Sequence, residues 1–175
     1  LADEIRENEE RTDHFEDVIG NYLVKLSSYK INENESSEAA RLLHIIGDFE
    51  RISDHAVNIL ESAEEMRDKK IVFSADADVE MNSLSNAVSE IVTLSYTSFR
   101  NSDTKQATLV EPLEQVIDKL KQTLKAKHIK RLQNNECTIE LGFVFTDLLT
   151  NYERISDHCS NIAVYTMQLP GNQLD

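Results

Sequence analysis

The sequence predicts an all-α protein, an elongated up-down bundle of five long helices. The 175-residue chain contains only 4 Gly and 2 Pro, so little of it suits the tight turns of a sheet-rich fold. Hydrophobic residues make up 40% of the chain and charged residues 29%, a mixture that favours amphipathic helices. Apolar side chains recur with helical spacing over stretches of about 25 to 30 residues, roughly twice the usual helix length.

The first two predicted helices cover residues 3–30 and 37–69. The polar segment 32–36 separates them, and Ser37 is the expected N-cap of the second helix. Both helices carry one apolar stripe, which is the signature of a helix packed on a neighbour. The stripe residues are Ile5, Phe15, Ile19, Leu23 and Leu26 in the first helix, and Leu42, Ile45, Phe49, Ile52 and Ile59 in the second.

The other three predicted helices cover residues 77–101, 105–134 and 137–168. Each ends at a polar or helix-breaking segment, and Pro170-Gly171 ends the last one. Their apolar positions again recur every three or four residues. These positions include Leu84, Val88 and Ile91, then Leu113, Ile117, Leu120 and Leu124, then Val144, Leu148, Ile155 and Ile162.

A duplication organises the chain. The motif Glu-Arg-Ile-Ser-Asp-His spans Glu50–His55 and recurs at Glu153–His158, 103 residues later, and an Asn-Ile pair follows each copy at the same distance. Repeats at this distance indicate two copies of one structural unit. We predict a first unit of two helices over residues 1–69 and a second unit of three helices over residues 77–169. The opening helix of the first unit is then missing.

Four pairs of acidic residues share one spacing. The fourth predicted helix matches the first with an offset of 105, so each unit carries two pairs. Residues four apart lie on one face of a helix, where like charges destabilise it by a few tenths of a kcal/mol. Four repetitions predict a compensating cation. The candidate metal ligands are Glu9 and Asp13, Glu50 and Asp54, Glu114 and Asp118, and Glu153 and Asp157.

The acid pairs are predicted to face outward. If Ile155 points to the core, Glu153 and Asp157 lie roughly 160° away on the helix, and Asn161 extends the same outer stripe. This excludes a di-metal centre buried inside a bundle and predicts a carboxylate ridge to which two adjacent helices each lend a pair. Oxygen ligands suit Mg²⁺, Mn²⁺, Fe or Ca²⁺, with Zn²⁺ as a further candidate. The alternative is an ordinary solvated acidic surface.

Other features of the sequence limit the function. A net charge of −14 disfavours nucleic-acid binding, and no apolar run approaches the roughly 20 residues that cross a membrane. Two cysteines form no disulfide framework.

We expect that the protein is not an enzyme, because the chain shows no nucleophile set or Gly-rich phosphate loop. A di-iron enzyme would also need inward-facing Glu ligands and a Glu-x-x-His motif. His55 and His158 are expected at the core boundary, held by hydrogen bonds.

The duplicated Glu-Arg-Ile-Ser-Asp-His-x-x-Asn-Ile resembles the PhoU family of phosphate-uptake regulators. The family motif, an acid followed four residues later by Asp, fits all four acid pairs. The resemblance implies two three-helix units and multinuclear clusters of metal ions, iron or zinc, on the bundle surface. The resemblance therefore implies that the eight candidate ligands bind a metal cofactor, iron or zinc. Their oxygen ligands make Mn and Mg further candidates for the bound metal.

Residues 110–118, 128–132 and 151–159 look like the C-terminal PhoU-like domain of bacterial sodium/phosphate cotransporters. This resemblance implies a regulatory domain on the cytoplasmic face of the membrane, with a transporter as partner in the same polypeptide. Leu1 in place of Met fits a piece of such a chain. The alternatives are a stand-alone regulator of phosphate transport and signalling, or a helical scaffold without metal. The uncovered apolar stripe of the first two helices predicts a homo-oligomer.

Overall fold

The computed structural model describes residues 1–169, and in this range it consists of five long helices and one short one. The prediction of an all-α bundle is therefore confirmed. Pro170 and Gly171, the predicted end of the last helix, lie outside the described residues. The helices are α1 (Ala2–Ser27), α2 (Glu33–Lys69), α3 (Ala75–Arg100), α4 (Thr104–Ala107), α5 (Val110–Gln133) and α6 (Ile139–Gln168).

Two of the predicted helix starts were wrong. Asn32, not Ser37, caps α2: its Oδ1 accepts a 2.9 Å hydrogen bond from the Glu35 N–H, and the Glu35 carboxylate accepts one from the Asn32 N–H. This reciprocal capping box stabilises an earlier start. The predicted helix over 105–134 is instead the short α4 followed by α5. Pro112 has no N–H to donate, so it fits only the first turn of a helix, and α5 begins just before it.

The helices form two antiparallel hairpins that meet at α2 and α6. Residues 28–32 connect α1 to α2, and residues 134–138 connect α5 to α6 with the same number of residues. In the second half α3 packs on both α5 and α6, whereas α1 contacts only α2 among the described helices. The contact between α2 and α6 is the most extensive in the fold. The two copies of the motif therefore lie on its two central helices.

The apolar core lies mainly in the second half. Leu84 and Ile91 of α3, Ile117 of α5 and Phe145 of α6 are fully buried there. On α1, by contrast, Leu23 alone is buried among the large apolar side chains. The exposed apolar side chains of α1 are Phe15, Val18, Ile19, Tyr22 and Val24. Across residues 1–169, no helix combines the length and the apolar character that a membrane crossing requires.

Candidate metal centres

The eight predicted acids lie in two groups of four, one on each hairpin, and each group is called a cluster below. Among the described residues, only Glu114, Asp118 and Asp157 bring three ligand oxygens close together. The two connecting turns have equal length. In each hairpin, the acids of both helices lie a similar number of residues from the turn, so the antiparallel helices place them side by side. None of the eight belongs to the buried core. The first cluster consists of Glu9 and Asp13 on α1 with Glu50 and Asp54 on α2. The second cluster consists of Glu114 and Asp118 on α5 with Glu153 and Asp157 on α6.

In the second cluster the carboxylates converge closely. One oxygen each from Glu114, Asp118 and Asp157 lies within 4.8 Å of the other two, and all three side chains are partly buried. Burial, followed by the charge of Asp118, raises the pKa of Glu114 above its usual value. Burial, followed by the charge of Glu153, does the same to the pKa of Asp157. In both cases burial disfavours the charged form first, and the neighbouring carboxylates add to this effect.

The first cluster shows the same coupling between its two helices. Burial raises the pKa of Glu9, and the charges of Asp54 on α2 and Asp13 on α1 add to the shift. Burial also raises the pKa of Glu50, with further contributions from Asp54 and from Glu16 on α1. Among the described residues, however, no three acids of the first cluster bring ligand oxygens as close together as those of the second.

The two motif histidines form hydrogen bonds between α2 and α6, and their partners are not among the eight candidate ligands. His55 Nδ1 lies 2.8 Å from Asn151 Oδ1, and His158 Nδ1 lies 2.8 Å from Asp48 Oδ1. Their rings stack with centroids 5.7 Å apart. Asn161, predicted on the outer acidic stripe, is exposed, and its Nδ2 donates to Asp48 Oδ1 over 3.2 Å. The wheel position alone did not predict this contact with α2.

The prediction missed three charged residues near these centres. Asp48 is 6% exposed and anchors the His158 and Asn161 side chains. Its repeat counterpart is the neutral Asn151, so the duplication gave no signal for it. Glu16 and Lys121 occupy matching positions of the repeat, three residues after Asp13 and Asp118. The 105-residue offset is enough to find both.

Comparisons with known proteins identify relatives of this chain. The PhoU domain profile matches residues 1–63 and 81–166. The chain is 24% identical over 121 residues to the phosphate-specific transport system accessory protein PhoU homolog 1 of Thermotoga maritima. That match covers 69% of this chain and 51% of the relative, so the chain spans about half the length of that protein.

The fold also matches a solved structure. The crystal structure of PhoU from Pseudomonas aeruginosa superimposes with a TM-score of 0.88 at 22% sequence identity. The match covers 97% of this chain and 80% of the solved one. At this level of identity the likeness supports the fold, whereas the domain profile, which spans most of the chain, supports the family. The chain belongs to the PhoU domain family.

Proposed function

We propose that this chain is a metal-binding regulatory domain that controls phosphate uptake. The observation that carries the proposal is the convergence of Glu114 and Asp118 on α5 with Asp157 on α6, and the sequence repeat places matching acid pairs on α1 and α2. Membership of the PhoU family supports a role in phosphate transport, as does the name of the Thermotoga maritima relative. The arrangement favours regulation over catalysis, because the clusters offer ligands and no nucleophile.

The residues of both clusters fit a hard or borderline cation. Their donors are carboxylate oxygens, the ligands that Mg²⁺, Mn²⁺, Ca²⁺ and iron accept. The nearest histidines, His55 and His158, use their Nδ1 atoms for hydrogen bonds between α2 and α6. This favours oxygen-rich sites over the nitrogen and sulfur ligands that zinc commonly takes. The number of acids in each cluster suits more than one ion.

A bound cation would couple the two helices of each hairpin. Burial, followed by the charges of neighbouring acids, raises the pKa of Glu9 and of Glu114, and a bound cation would remove the repulsive part of this effect. A bound metal, held by acids of both helices, would supply the positive charge that joins α1 to α2 and α5 to α6. Because α2 and α6 form the central contact of the fold, stiffening both hairpins changes the surface that a partner meets. Occupancy of the clusters is the signal in this mechanism.

The partner we propose is a sodium/phosphate cotransporter in the same polypeptide, which places this domain at the cytoplasmic face of a membrane. The two units are residues 1–69 and 77–169. A stand-alone PhoU-type regulator is the second candidate, and the name of the Thermotoga maritima relative favours it.

Self-association is part of both proposed functions. Phe15, Val18 and Tyr22 expose more than half of their surface on α1, and a second copy of the chain would cover them. Light scattering that gives a strict monomer contradicts this part.

Elemental analysis of protein purified without chelator tests metal binding. We expect the wild type to retain metal and the double variant Asp54→Ala/Asp157→Ala to lose most of it. Asp17→Ala/Asp147→Ala is the matched control, since both acids are exposed on the same hairpins and lie outside the clusters. Equal metal content in all three proteins, or none in the wild type, contradicts the proposal and leaves a helical scaffold.

Phosphate uptake tests the regulatory half of the proposal. Cells that produce the Asp54→Ala/Asp157→Ala variant should take up labelled phosphate at a rate different from that of cells with the wild type. The control variant Asp17→Ala/Asp147→Ala should behave like the wild type. If metal is lost and uptake stays unchanged, the domain binds metal for another purpose.

A further inference from the structure

A cleft of about 680 Å³ opens between the start of α3 and the end of α5. Its charged lining residues are Lys127, Lys130 and Arg131 on α5, Asp76 and Glu80 on α3, and Glu136 in the turn after α5. Arg131 lies about 20 Å along the axis of α5 from Asp118, the last acid of the second cluster on this helix. The cleft is therefore separate from the candidate metal centres.

A small inner chamber adjoins the cleft and shares the side chains of Ser74, Arg131 and Glu136 with it. The chamber has a volume of about 10 Å³, which is room for one water-sized group. Phe73 and Phe145 form its apolar wall. A ligand in the outer cleft can therefore place one oxygen atom in the chamber, while the rest of the ligand stays outside.

Two buried nitrogen atoms at the inner chamber lack a hydrogen-bond partner. Within residues 1–169, three buried polar side-chain atoms have no partner, and two of them are His128 Nε2 and Arg131 Nη2. Both side chains line the chamber, and they are 4% and 13% exposed. A buried donor without an acceptor destabilises the folded state, so an acceptor in the chamber would satisfy both side chains.

The ring of Phe145 holds both side chains in place. The His128 ring stacks on it with centroids 4.6 Å apart, and the central guanidinium carbon of Arg131 lies 5.4 Å from the centroid of the same ring. Burial lowers the pKa of His128, and the charge of Arg131 adds to this effect. The imidazole is therefore neutral at neutral pH and can donate from Nε2, while Arg131 stays charged and only donates.

The ion pairs of the cleft leave basic groups without a carboxylate of their own. Glu80 pairs with Lys127 Nζ at 3.0 Å and with Arg131 Nη1 at 2.9 Å, so two cations share one carboxylate. Lys130 pairs with no acid in the described part of the chain. The other two acids of the lining are exposed, so solvent screens their repulsion. The inner part of the cleft therefore favours a ligand that accepts hydrogen bonds and carries negative charge.

We propose that the cleft binds a small oxyanion, a phosphate, sulfate or carboxylate group, with one of its oxygen atoms in the inner chamber. That oxygen accepts hydrogen bonds from Arg131 Nη2 and His128 Nε2, and Lys130 adds positive charge at the mouth of the cleft. Hydrogen bonds between a guanidinium group and an oxyanion are charge-assisted on both sides, which a water molecule in the same chamber does not match. The site does not depend on the metal-binding function proposed above.

Nuclear magnetic resonance titration of the metal-free protein with sodium phosphate tests this site. Sodium chloride at the same ionic strength is the reference, and sodium sulfate and sodium acetate show which oxyanion the site takes. We expect phosphate to shift the assigned side-chain resonances of His128 and Arg131 along a saturating curve, which gives a dissociation constant. Chloride should leave both resonances in place.

Three variants assign the response to the cleft, with the His128 resonance as the readout. Arg131→Lys keeps a positive charge beside Glu80 and removes the Nη2 donor, so it should weaken phosphate binding about tenfold. Lys130→Gln removes an exposed charge and should weaken binding about two- to fivefold. Lys125→Gln is the matched control, because this exposed lysine is on the same helix and does not line the cleft. It should bind phosphate like the wild type.

Each outcome decides the matter. Saturating shifts with sulfate or acetate instead of phosphate support the site and identify the group that it takes. Shifts that do not saturate, or equal affinities in the wild type, Arg131→Lys and Lys130→Gln, overturn the proposal and leave an ordered water only in the chamber. An equal loss of affinity in Lys125→Gln and Lys130→Gln also overturns it, because net charge alone would then explain the binding. If Arg131→Lys does not fold, Lys130→Gln still decides, since its side chain is exposed.

Discussion

Glu114→Gln should stabilise the metal-free protein. The carboxylate of Glu114 shares its surroundings with Asp118 and Asp157, and all three are partly buried. Gln has the same shape as Glu and lacks the charge, so the substitution removes repulsion without creating a cavity. Most substitutions of partly buried residues destabilise a protein, which makes a gain here diagnostic of a cluster built for a cation.

The size of the gain follows from Coulomb's law. Oxygens of the three acids lie within 4.8 Å of one another. At this distance an effective dielectric constant between about 40 and 80, which allows for the partial exposure, gives about 1–2 kcal/mol for each pair of charges. Glu114 forms two such pairs, one with Asp118 and one with Asp157. Salt and side-chain rearrangement reduce the total repulsion of these two pairs. We expect the free energy of unfolding to rise by about 1–2 kcal/mol at low ionic strength.

Urea denaturation with EDTA present measures this gain, and its pH dependence supplies a second check. The folded protein holds the Glu114 proton more tightly than the unfolded chain does, because the folded pKa lies above the ordinary value of 4.5. The free-energy penalty of the ionised Glu114 is therefore absent below pH 4.5 and complete at pH values above the raised pKa. The gain from Glu114→Gln should be full at about pH 7.5 and lost near pH 4.

Glu90→Gln is the matched control, since Glu90 is exposed on α3 and outside both clusters. It should change the free energy of unfolding by less than about 0.5 kcal/mol. With saturating Mn²⁺ the wild type should become more stable than Glu114→Gln, because the wild type gains more free energy of unfolding from binding the ion. The reasoning fails if Glu114→Gln destabilises the metal-free protein, or if its gain persists at low pH.

Three further predictions concern packing and burial. Asp48→Ala should lower the free energy of unfolding, measured by urea denaturation, by about 2–4 kcal/mol, because His158 Nδ1 and Asn161 Nδ2 lose their acceptor. Asp48→Asn should cost less, because its amide oxygen keeps one acceptor. A Cβ on Gly142 would meet His128 Nε2 at 3.1 Å, and this ring is 4% exposed, so Gly142→Ala should lower the melting temperature. Gly47→Ala meets nothing within 4 Å and should raise it. Burial raises the pKa of the Cys159 thiol to about 12, so a thiol reagent should modify it only after unfolding.

The fold could be predicted because it depends on periodic features, and the same periodicity singled out Glu114, Asp118 and Asp157, whose oxygens converge. Apolar residues at helical spacing gave the five long helices, and the duplication gave the equivalence of α2 and α6. The ends of the helices were harder to place. Asn32 and Ser37 are both good N-cap residues, and the choice depends on Glu35 lying at the right distance to complete a capping box.

Contacts between helices could not be read from the sequence. A helical wheel gives the direction of a side chain relative to its own helix, and it omits the neighbour that the side chain meets. His158 and Asn161 reach Asp48 on α2 because α2 crosses α6 at that level. The contact between Lys121 and Glu153 likewise depends on the level at which α5 meets α6.

Anomalous X-ray diffraction from crystals grown with Mn²⁺ tests the central claim most directly. The account predicts anomalous peaks at two places, between Glu9 and Asp54 in the first hairpin and between Glu114 and Asp157 in the second. Anomalous peaks elsewhere on the surface, with none within bonding distance of these carboxylates, would contradict the account.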